Sequence, residues 1–199
     1  MGVAASRAMP LLLGMLALAG PITAQTRAAA IDAHPIGAPV TTIIEFGEQY
    51  LGSEQYDAKI TVLEVLRGEK AREIVKRANA ADPVPKSGFD YLLARVRFEF
   101  AARTSLAHHS YDVDVSQFRA TSRDGRDFSV PVVVTPPTPV LKGTLKSGDS
   151  LEGWLAFSVP RSVPKPLMVF HEDVGDVSHV GSGTWFELYK RAPTAPPPK

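Results

Sequence analysis

Apolar and polar residues alternate most regularly over 91–100, where Leu92, Ala94, Val96, Phe98 and Phe100 fall on one side and Arg95, Arg97 and Glu99 on the other. A two-residue period sustained over that length predicts a strand with one buried face. The runs 40–46 and 58–66 are rich in β-branched residues and predict two more strands. In the second, Ile60 and Val62 share one face while Leu63 and Val65 share the other, a change of phase that predicts a bulge or burial on both sides. Further along, Tyr111, Val113 and Val115 alternate with Asp112 and Asp114, and the run 118–122 leads into Asp124 and Gly125, which have the turn chemistry of a hairpin. Pro131 restricts the next strand, 128–134, to an edge or a bulge. The run 151–159 places Leu151, Leu155, Phe157 and Val159 on one face, and 167–170 and 185–189 supply the last two strands.

One segment has a different period. After Gly68, the apolar residues Ala71, Ile74, Val75 and Ala78 recur at the spacing of a single helical stripe, with charges elsewhere. This predicts one short amphipathic helix over about residues 69–79, packed as a cover on the strands. The expected fold is mainly β: an immunoglobulin-like β-sandwich of seven to nine strands, with a closed barrel as the alternative architecture.

The two ends have other patterns. Residues 1–24 combine a single charge, Arg7, with the apolar run 11–19 and a small-residue end at Ala24, the layout of a signal peptide. That run is shorter than the roughly 20 apolar residues a membrane span needs. Residues 25–39 read as a linker, 40–190 as the domain, and 191–199 as a Pro-rich tail that can form neither a helix nor a central strand. Without the leader, Lys and Arg fall from 22 to 21 and equal the 21 Asp and Glu. A neutral chain lacks the electrostatic attraction behind non-specific nucleic-acid binding, so no nucleic-acid partner is expected. There are no cysteines, hence no disulfides, no thiolate metal ligands and no cysteine nucleophile. A unit of about 150 residues can bury enough surface to fold without such staples.

The segments Val62 to Gly68, then Ala71, Ile74, Ala78 and Asn79, a Pro-containing loop to Gly88, and Tyr91 to Val96 resemble a telokin-like, immunoglobulin-like domain of unknown function that occurs in exported bacterial proteins and lipoproteins. Phe118 to Gly125 and Ser147 to Phe157 resemble later parts of the same family, in the same order, so the likeness covers roughly 40–189. The resemblance implies an extracytoplasmic sandwich with no assigned reaction, often lipid-anchored. This chain has no cysteine after its leader, so the expectation is a soluble periplasmic or extracellular protein with no stable membrane anchor after cleavage.

Chemistry-bearing residues cluster in a few places. His171, Asp173, Asp176 and His179 lie within nine residues and could supply nitrogen and oxygen ligands to zinc or copper, although the spacing matches no established site. His108 and His109, with Ser105 and Ser110 nearby, carry the groups of a nucleophile and base but no Gly-x-Ser-x-Gly turn. Asp112 and Asp114, with Asp124 or Asp127, could share a calcium ion but lack the spacing of a helix-loop-helix site. Trp154 is either an interaction anchor or core beneath the helix, and Trp185 has the same ambiguity. The reading is of a non-enzymatic module without a cofactor that binds a protein or cell-envelope component. The alternative is a metal- or small-ligand-binding protein using the 171–179 loop.

Overall fold

The computed structural model describes residues 32–47, 54–82, 84–105, 108–125, 128, 134–172 and 183–191. Its largest sheet has four antiparallel strands in the order β1 (Val40–Phe46), β2 (Glu54–Arg67), β3 (Phe89–Ala102) and β7 (Ser150–Pro160). A second sheet orders β5 (Phe118–Thr121), β8 (Leu167–Phe170) and β9 (Thr184–Glu187), and a third pairs β4 (Tyr111–Val113) with β6 (Gly143–Leu145). The fold is mainly β with one helix, α1 (Glu69–Ala78).

The alternation in β3 carries the main core. Leu92, Ala94, Val96, Phe98 and Phe100 are all buried and meet Tyr56, Ala58, Ile60 and Val62 of β2 and Leu155 and Val159 of β7. Across the interface stand Phe118, Met168, Phe170 and Phe186 of the second sheet. Phe98 and Phe170 meet edge to face at 5.7 Å, so the two sheets share one apolar layer. Each such side chain contributes about 1.5–3 kcal/mol by leaving water.

The change of phase in β2 is a bulge. Val62 pairs with Val96 and Glu64 with Arg95, which leaves Leu63 as the extra residue. Beyond it Val65 still packs on the main core, while Leu66 turns to the opposite face. There α1 lies on a second cluster in which Ala71, Ile74 and Val75 meet Leu66, Tyr91, Leu93, Trp154 and Ala156. Tyr91, Leu92 and Leu93 are consecutive and all buried because this end of β3 is covered on both faces. Gly68, at φ 72° and ψ −131°, turns the chain from β2 into α1 in backbone space that a residue with a Cβ rarely enters. The helix carries Glu69 in its first turn and Lys76 and Arg77 in its last, the signs that suit its dipole. The rest of the outer face is charged: Lys59 pairs with Glu99, and Glu152 pairs with Arg95 and Arg97.

Several elements differ from the sequence expectation. The alternation at 111–115 ends early, because Asp114 and Gln117 form a capping box that winds Val115–Gln117 into a 3-10 helix. The turn at Asp124 and Gly125 forms, with Gly125 N donating to Ser122 O at 3.0 Å. Its preceding strand β5, however, pairs with β8. Residues 129–133 of the strand expected at 128–134 lie outside the described residues, as do the leader, the first part of the linker and most of the tail. The later linker residues are docked: His34 N donates to Trp185 O, Glu187 N to His34 O, and Gly37 N to Val62 O. No helix among the described residues is long and apolar enough to cross a membrane.

Candidate functional site

One end of the large sheet gathers a glutamate and two histidines, the one group of three such side chains brought together among the described residues. Phe46 closes β1 opposite Glu54, the first residue of β2. Glu54 and Tyr56 are two apart and share a strand face. Tyr56 is fully buried, stacked on Phe100 at 4.6 Å and met edge-on by Phe46 at 5.4 Å. Its hydroxyl donates to Glu54 Oε2 at 2.7 Å, so a buried ring fixes the carboxylate at the rim.

The segment entering β4 brings His108 and His109 to the same carboxylate. Consecutive side chains on an extended strand point to opposite faces, so two neighbouring imidazoles meeting one glutamate require a non-strand backbone. Backbone hydrogen bonds hold it: His108 N donates to Glu54 Oε2 at 3.0 Å and His109 N to the Tyr56 hydroxyl at 2.7 Å. His108 Nδ1 lies 2.9 Å from Glu54 Oε1, and His109 Nδ1 lies 2.9 Å from Glu54 Oε2. The His109 ring stacks on Phe46 at 4.9 Å, within 6° of parallel. One ligating atom from each of Glu54, His108 and His109 lies within 4.8 Å of the others.

The electrostatics follow from these contacts. The hydrogen bond with His109, then that from Tyr56, holds the Glu54 carboxyl down at about 2, against the opposing effect of desolvation. Tyr56 is pushed up, first by burial and then by its bond to the ionised Glu54. Exposure is graded: 78% for the His108 side chain, 42% for His109 and 22% for Glu54.

No family model matches the chain, and no curated protein or solved structure is significantly similar to it. The telokin-like resemblance therefore rests on the sequence segments that carry it.

The other residues singled out from sequence are dispersed. Asp112 accepts from Thr144, Asp114 accepts from Ser116 and pairs with Lys142, and Asp124 accepts from Ser122, so these three acids have separate partners. Asp127 lies outside the described residues. His171 is half-buried, with its N–H donating to Gln117 O at 2.9 Å. Asp173, Asp176 and His179 lie outside the described residues, so the 171–179 loop has no geometry to compare. Both His108 and His109 turn Nδ1 toward Glu54, a partner 54 and 55 residues away. Trp154 is half-buried in the cluster beneath α1, and Trp185 is half-buried in β9. Glu54 is the site residue that sequence reasoning missed. Its one local signal was the rare adjacent His pair, which has no sequence-near carboxylate in a fixed relation to it.

Proposed function

We propose that this chain is an exported, non-enzymatic immunoglobulin-like module that binds a protein or cell-envelope component through the sheet end carrying Phe46, Glu54, His108 and His109. The observation that carries this reading is the anchoring of two exposed imidazoles by backbone hydrogen bonds to Glu54 and to the buried Tyr56, with the His109 ring stacked on the half-buried Phe46. Side chains fixed in advance lose little freedom on binding, which favours recognition. Export is supported by the leader-like residues 1–24, and the sandwich assignment by the telokin-like segments. A sandwich alone implies no function, so the surface has to be tested directly.

The test is capture from cell-envelope extracts on covalently immobilised protein, comparing the wild type with His108→Ala/His109→Ala and with Trp154→Phe. The expected result is a component retained by the wild type and by Trp154→Phe and lost by the double histidine variant. Retention that is equal in all three, or no enrichment above background, would reject this surface as the binding site.

A further inference from the structure

We propose that Glu54, His108 and His109 form a site for a borderline divalent transition-metal ion, zinc(II) or copper(II). This deepens the binding role above and rests on the same surface, because it names a ligand that the surface can hold by its own chemistry.

The geometry is close to what an ion requires. Zinc bonds to imidazole nitrogen and carboxylate oxygen are about 2.0–2.2 Å, which sets tetrahedral ligand atoms about 3.4 Å apart. Here both Nδ1 atoms already lie 2.9 Å from a carboxylate oxygen, and all three ligating atoms fall within 4.8 Å. Small rotations of exposed side chains open the first distances and close the last. An ion would take the place of the direct contacts between the two imidazoles and the carboxylate.

The surrounding contacts orient the ligands as metal sites require. The Tyr56 hydroxyl and His108 N–H both donate to Glu54 Oε2, and His109 is held by its own N–H and by Phe46. Such outer partners set the direction and basicity of the ligating groups. The donor set selects the class of ion. Two nitrogens and one oxygen suit zinc(II) and copper(II), whereas calcium and magnesium prefer oxygen cages and copper(I) prefers sulfur. Exposure of His108 gives an ion direct access from solvent, and three protein ligands leave a position for water or for a group on a partner.

The experiment is calorimetric titration of the tag-free chain with zinc sulfate and, separately, copper sulfate. One equivalent is expected to bind, copper more tightly than zinc by the general affinity order. His108→Ala, at an exposed position where the fold is not at stake, should weaken binding about ten-fold or more. His108→Ala/His109→Ala should abolish it while leaving the circular dichroism spectrum unchanged. His171→Ala/His179→Ala should bind as the wild type does. No heat up to about 1 mM metal, equal affinity in the double variant, or loss in the His171/His179 variant would each overturn the site. The two proposals fail separately. Capture that depends on the histidine pair without metal binding removes only the ion, and metal binding with unaltered capture removes only the partner surface.

Discussion

At the scale of single residues, Gly153 is the least replaceable position in β7. A Cβ there would lie 2.4 Å from Leu141 N and 2.5 Å from Val140 C, because the backbone of 140–141 runs directly against it. Those atoms are main chain, already tied to β7 by the Leu141 N to Trp154 O and Trp154 N to Pro139 O hydrogen bonds, so they cannot rotate away. Gly153→Ala is expected to cost about 1–3 kcal/mol or more in urea denaturation. Asp114 offers a pH-dependent counterpart. Hydrogen bonds from the Ser116 hydroxyl and N–H, and then the contact with Lys142, lower its carboxyl from the ordinary 3.8 to about 2. The folded state therefore favours the ionised form; the stabilisation is full above the unfolded value and is lost as pH falls through about 2. Asp114→Asn should narrow its stability deficit against the wild type over that acid range and show the full deficit at neutral pH. An undiminished deficit at the acid end, measured by denaturation at several pH values, would refute the linkage. The candidate site was half legible at this scale: the adjacent histidines stand out in any reading, but Glu54 looks like an ordinary polar residue at the start of a strand. Only the pairing of β1, β2 and β3 brings it to them.

At the scale of elements, the turn between β7 and β8 is tied to the end of β2 by the Arg67 side chain. Arg67, at the end of β2, donates to Val163 O at 2.7 Å, to Pro160 O at 2.8 Å and to Asp90 Oδ2 at 3.3 Å. Arg161 donates to the other oxygen of the same aspartate at 2.7 Å. Arg67→Ala is expected to cost about 1.5–3 kcal/mol, the range for hydrogen bonds to charged groups. Arg67→Lys should not rescue it, because one ammonium cannot reproduce the planar fork. Hydrogen exchange over 160–163 should accelerate in both variants, and full protection in the lysine variant would show that charge alone suffices. Elements were legible where a period was long: β3 and α1 could be read directly from their apolar spacing. The strand β6 has three residues, too few for a period to register, and the alternation that marks β4 ran on over Val115–Gln117 and hid the 3-10 helix that the Asp114 capping box forms there.

At the scale of the whole molecule, residues 33–37 join the two main sheets. His34 exchanges backbone hydrogen bonds with Trp185 and Glu187 beside β9, while Gly37 N donates to Val62 O in β2. Ala33 is buried in the same stretch. A chain beginning at Val40 is therefore expected to be less stable than one beginning at Asp32 by about 2–4 kcal/mol, from three backbone hydrogen bonds at about 1 kcal/mol each and the buried apolar contact. Equal midpoints in thermal and urea denaturation would show that the segment only rests on the domain. The sequence read this stretch as linker because its composition is rich in alanine and proline and its contacts are backbone ones, which leave no side-chain pattern. The bulge at Leu63 has a consequence for how this fold tolerates changes in length. The strand faces the same apolar layer on both sides of that residue, through Val62 before it and Val65 after it, while Leu66 reaches the helix-covered layer by ordinary alternation. Deleting Leu63 would remove the bulge and leave a plain alternation, with Val62 and Val65 still on the main core and Glu64 and Leu66 still on the outer face, because Leu63 is the residue with no partner across the ladder. One residue can therefore be lost at this point of the strand without moving any side chain to the other face, whereas a loss at Val65 would bring Glu64 onto the main core.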